Sequence, residues 1–173
     1  MDDVASGAVQ FLAGISAVTT LLGSFSESDP VTANQGLPWV FLENPLVRVQ
    51  GTSAAALVCS PAGSWSASLP YGTARFMRLS VELYVDPQRD SAQNVTETPG
   101  LTIVRGEQLF SVVNSFLHRR SSDIQIWGDL VTDSCVLLAE GQFVQVPTGD
   151  GDWLQHKQAF YGVGATGWAD VAV

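Results

Sequence analysis

The chain has 173 residues (18.4 kDa), of which 46% are hydrophobic and only 14% charged, and its formal net charge is -9. That length suits a single domain with a sizeable core, and so apolar a composition excludes intrinsic disorder. The sign of the charge excludes tight nucleic-acid binding, which needs clustered Lys and Arg to displace counterions, and a surface so poor in charge suits coverage by other chains.

The first predicted element lies in "VASGAVQFLAGISAVTTLLGSF", which carries no charge. Asp2 and Asp3 precede it where a secretory signal wants cations, and Ser, Gln, Thr and Gly dilute it as a membrane span. Val4, Ala8, Phe11, Ile15, Val18 and Leu22 step by four and three along one stripe, so the spacing predicts an amphipathic helix, with Gly23 as its stop. A polar loop with Pro30 and Gly36 follows, then a short strand, "LPWVFLE", buried on both faces. "LVRVQG" and "SAAALVCS" read as a hairpin around Gly51, and residues 60–73, rich in Ser, Gly and Pro, read as a long contact loop.

"RFMRLSVELYVDPQRD" contains the clearest strand of the chain. Met77, Leu79, Val81, Leu83 and Val85 alternate with Arg78, Ser80, Glu82, Tyr84 and Asp86, giving one core face and one wet or partner-bearing face. A second long loop spans residues 86–100. The next helix has Thr102 as N-cap, an apolar face of Leu109, Val112, Val113, Phe116 and Leu117, and the cations His118, Arg119 and Arg120 in its last turn. "IQIWGDLV", "CVLLAEGQFVQV" and "WLQHKQAFYGVG" are three closing strands, the last two joined by a "TGDGD" turn. Runs of strands broken by two helices predict an α+β domain over residues 1–173: a mostly antiparallel sheet with both helices on one face.

No stretch carries a catalytic signature. His118 suits a helix end, and His156 sits in a strand with no nucleophile motif beside it. Gly162, Gly164 and Gly167 spell G-x-G-x-x-G, but beyond the last strand, with too little chain left for the helix a dinucleotide site needs. Asp150 and Asp152 supply too few oxygens for calcium, and Asn94 begins a glycosylation triplet of a kind that arises by chance. Five tryptophans could form a carbohydrate platform, but Trp39, Trp127 and Trp153 sit in strand patterns where core or interface packing explains them equally well. Cys59 and Cys135 lie in apolar runs as buried thiols, with no CxxC pair to hold zinc; a bond between them would mark a secreted acidic domain. The sequence thus assigns no catalytic, cofactor-binding or metal-ligating residue and no cofactor.

The order and texture of "FLAGISAVTTLLG", "LPWVFLE", "RFMRLSVELYVDP", "GEQLFSVVNSFLH" and "WLQHKQAFYGVG" resemble the tail terminator (tail completion) proteins of long-tailed bacteriophages. The segment "VQGTSAAALVCSPAGSWSASLPYG" is longer than the connection usual in that family. The resemblance implies a homo-oligomeric ring, typically of six copies, that caps the tail tube and ends its elongation. It also implies partners in the tail tube protein and the head-tail connector or neck proteins, with genomic DNA passing through the lumen and no membrane partner. Localisation would be the virion, after assembly in the host cytoplasm. Another neck or head-closure protein is the alternative, and a small ligand-binding domain or enzyme using His118 or His156 a more distant one. Residues 1–74 sum to -4, 75–120 to +1 and 121–173 to -6, and an acidic C-terminal third suits a lumen through which DNA passes without sticking.

Overall fold

The computed structural model describes residues 2–25, 40–42, 55–69, 72–87, 100–118, 125–128, 130–147 and 153–165. In chain order the elements are α1 (Asp2–Ala13), α2 (Ser16–Gly23), β1 (Val40–Leu42), β2 (Ala55–Leu69), β3 (Gly72–Val85), α3 (Gly100–Leu117), β4 (Gln125–Trp127), β5 (Leu130–Glu140), β6 (Val144–Pro147) and β7 (Trp153–Ala165). The strands form one sheet in the order β1-β2-β3-β7-β5-β4, with β6 also on β7. β1 runs parallel to β2, and the other described pairs are antiparallel. β3 takes one edge of β7, while β5 and β6 lie end to end along the other, joined where the Gly141 amide donates to the Gln158 carbonyl at 2.9 Å. The α+β architecture expected from the sequence is present.

Pleating sorts the side chains. Met77, Leu79, Val81, Leu83 and Val85 of β3 are buried on the inner face, opposite Leu57 and Cys59 of β2 and Ala159, Tyr161 and Val163 of β7. α1 crosses this face and touches both end strands, β1 and β4. Trp127 of β4 is fully buried and stacks on Phe11 of α1 with ring centroids 5.6 Å apart. Gly7 makes that approach possible: a Cβ there would stand 2.6 Å from the Trp127 carbonyl oxygen. α3 buries Leu109, Phe110, Val113 and Leu117, and Arg105 ties it to the end of α2 by donating to the Ser24 carbonyl and hydroxyl, both at 2.8 Å.

Several sequence expectations are corrected. The amphipathic segment is two helices bent by 77°, because Ile15 is extended (φ -92°, ψ 110°) and breaks the ladder after Gly14. The bend sends α1 onto the sheet and α2 onto α3, and it buries Leu12, which lies off the expected stripe. No single helix among the described residues is long and apolar enough to cross a membrane. Residues 60–69, expected to be loop, are strand: β2 pairs with β3 as far as Leu69↔Gly72, absorbing its glycine and proline in an irregularity between Pro61 and Ser64, where Gly63 has φ 111°.

Thr102 lies inside α3 and is fully buried, so it is not the cap. "IQIWGDLV" is a hairpin, turned at Gly128 (φ 62°), and "CVLLAEGQFVQV" is two strands. β1 buries Val40 and Phe41 but leaves Leu42 45% exposed. Residues 46–51, 88–99 and 148–152, which hold the expected Gly51 hairpin, most of the second loop and the "TGDGD" turn, lie outside the described residues.

Candidate functional site

Two polar clusters sit on opposite faces of β7. On the outer face, the register sets Tyr84 opposite His156 and Glu82 opposite Gln158. His156 Nε2 is 3.0 Å from Glu82 Oε1, the Tyr84 hydroxyl donates to the same oxygen at 3.3 Å, and the Tyr84 and His156 ring centroids are 4.5 Å apart. Gln158 Nε2 donates to the Ser80 hydroxyl at 2.9 Å. Burial, then the Glu82 charge and its hydrogen bond, push the Tyr84 hydroxyl up to about 12, so it holds its proton at neutral pH. Cys59 and Cys135 are buried and form no disulfide, and burial with the nearby Glu82 charge pushes Cys59 up to about 12. A carboxylate, an imidazole and a tightly held phenol form a cross-strand ladder that fixes register; no activated nucleophile completes it among these groups.

On the inner face Lys157 is only 3% exposed. Its Nζ lies between Glu107 of α3 and Glu140 of β5 (2.8 Å to Glu140 Oε1) and 4.8 Å from the Phe110 ring centroid. Burial pulls its pKa down, but the hydrogen bonds and charges of the two carboxylates outweigh this and hold it above the ordinary lysine value. An irregularity of β5 between Leu137 and Ala139 makes the site: it shifts the alternation so that Glu140 pairs with Ala159 on the inner face. The cluster clips α3, β5 and β7 together.

His118 follows α3 and its Nδ1 accepts from the Leu137 amide at 2.9 Å. Gly162 and Gly164 lie within β7, opposite Arg78 and Phe76, so the first two glycines of the G-x-G-x-x-G string are strand residues, where a phosphate site has them in the turn that opens a helix. Asn94, Trp39, Asp150, Asp152 and Gly167 lie outside the described residues, as does the side chain of Trp153. No group of three His, Cys, Asp or Glu among the described residues is placed to hold a metal ion.

The remaining candidate is a surface. At the β4–β5 end of the sheet the outer face exposes Ile126 (67%), Val131 (38%) and Val136 (38%), with Leu138 (46%) at the β5 irregularity beside them. By contrast Ala56, Val58 and Ser80, on the same face of β2 and β3, are buried. β2 and β3 meanwhile run past their neighbours. β1 pairs only with Leu57, Val58 and Cys59, and β3 meets β7 only from Phe76 onward. Ser66–Leu69 and Gly72–Arg75 therefore form a two-stranded ribbon without a flanking strand among the described residues. The sequence signal for the patch was the apolar alternation of "IQIWGDLV" and "CVLLAE"; for the ribbon, Ser, Gly and Pro masked the strand.

No family model matches the chain, and no curated protein matches it in sequence. Among solved structures it is similar to a chain of the "Virion of native gene transfer agent (GTA) particle", with a TM-score of 0.53 and 13% identity over 94% of this chain and 93% of that chain. At that identity the likeness is one of fold, and it spans nearly the whole of both chains.

Proposed function

We propose that this chain is a structural virion protein of a phage-like particle. It forms a ring, of six copies by the family resemblance, that caps the tail tube, ends tail elongation and joins the tail to the head-neck connector. The observation that carries the reading is the near full-length fold likeness to a chain of a gene transfer agent virion. The tail terminator texture of the sequence supports the finer role. An exposed apolar patch at one end of the sheet, and toward the other a ribbon without a flanking strand among the described residues, support work by contact between chains. Partners are further copies of itself, the tube protein and the neck proteins. The genome passes through the lumen past a chain of net charge -9, and no catalytic step is assigned.

Deleting the gene tests this. Particles lacking the protein are expected to carry tails of irregular length that fail to join heads. Uniform tails on leaking or unsealed heads would transfer the assignment to a head-closure protein, and uniform tails joined to full heads would end the virion reading altogether.

A further inference from the structure

We infer that the β2/β3 ribbon of one copy docks on the exposed outer face of β4–β5 of the next copy. This deepens the ring reading and rests on it.

Three observations point to that pairing. First, neither surface has a partner strand or helix on it among the described residues. The β2 edge from Ser60 to Leu69 has no strand beside it among the described residues, and "SPAGSWSASL" has none of the charges with which an edge strand repels others. A two-stranded ribbon is marginal in water until something packs on it. The patch is apolar at Ile126, Val131, Val136 and Leu138, where an outer sheet face left in water would be polar. Second, the surfaces differ and lie toward opposite ends of the strand order, so their contact is heterologous; repeated from copy to copy, such a contact generates a closed ring or an open helix. Third, the charges complement each other. Residues 44–81 hold Arg48, Arg75 and Arg78 and no acid, whereas residues 121–173, which supply the patch, sum to -6, with Asp129 and Asp133 each two positions from Val131 in sequence. In a chain of net charge -9 the ribbon is the segment that another copy's acidic third repels least.

The test uses the full chain. Ser66→Cys and, separately, Ala67→Cys cover both faces of the ribbon, because neighbouring strand side chains alternate. Each is mixed with Val136→Cys and oxidised; the native thiols are buried. Cross-linked dimers are expected only from mixtures of a ribbon variant with the patch variant, and a chain carrying both cysteines should give a ladder ending at the ring. A second variant, Ile126→Arg with Val136→Arg, is expected to keep the wild-type circular dichroism and melting temperature as a single chain and to lose ring formation. Rings of wild-type mass from that variant, or rings whose cysteine mixtures give no cross-link, would overturn the docking and leave the ring reading standing. Wild-type protein that stays a single chain, alone and with tail tubes, would overturn both.

Discussion

Lys157 and its two carboxylates are unequal partners. The lysine side chain is 4% exposed, whereas Glu107 and Glu140 are 46% and 42% exposed. Removing the cation leaves two carboxylates that water can reach, while removing both anions leaves a buried charge unmatched. Lys157→Met is therefore expected to cost under ~1.5 kcal/mol in a urea titration, and the Glu107→Gln, Glu140→Gln double variant about 3 kcal/mol or more. Glycines give a similar contrast. A Cβ at Gly7 meets the Trp127 backbone, which cannot yield unless α1 lifts from β4, whereas a Cβ at Gly106 meets the Cζ end of the Phe143 ring at 2.7 Å. Gly7→Ala should cost ~1–3 kcal/mol, while Gly106→Ala should cost less, because the ring can turn aside and alanine favours the helix.

Alkaline pH exposes another residue-scale effect. Cys59 rises from 9.0 to about 12 and Tyr84 from 10.0 to about 12 on folding, burial being the first cause of each. Both are protonated in the fold when the unfolded chain has begun to lose those protons. Their contribution is complete below pH 9 and is lost as pH rises toward 12. Stability from chemical denaturation under reducing conditions should be flat to about pH 8.5 and then fall, by up to about 1.4 kcal/mol per pH unit for each such group. Cys59→Ala should remove the earliest part of that fall.

At the scale of elements, the ribbon and the central strands share one hairpin but not one environment. Amides of Ser66–Leu69 and Gly72–Arg75 should exchange hydrogen much faster in a single chain than those of Leu79–Val85, which lie between β2 and β7, and should become protected on assembly. Equal exchange along the whole hairpin would show that the ribbon is already covered within one chain. The elements legible in the sequence were those governed by periodicity: β3, whose five inward residues alternate without a break, and α3, whose Leu109, Val113 and Leu117 recur each turn. Tertiary contact decided the rest. The stripe from Val4 to Leu22 is continuous, yet the chain bends at Ile15 because the sheet and α3 each take one half of it. In β2 the pairing with β3 overrides the turn residues Pro61 and Gly63, so a strand took the composition of a loop. The Lys157 cluster was illegible because Glu140 faces inward only through the β5 irregularity, which leaves no spacing to read.

For the molecule as a whole, the two histidines and the first two glycines of the G-x-G-x-x-G string resolve into ordinary structure: His118 binds a strand amide, His156 holds a cross-strand carboxylate, and Gly162 and Gly164 sit in β7. What the fold leaves over is surface, an apolar patch and an uncharged edge on a chain with few charges. On the proposed reading such a chain works by geometry, with copies of itself covering these surfaces. Single-particle electron microscopy of the full chain, alone and mixed with tail tubes, tests this most directly. Closed rings around an open lumen, seated at tube ends, are expected. Solitary particles the size of one 18.4 kDa chain in both samples would contradict that reading.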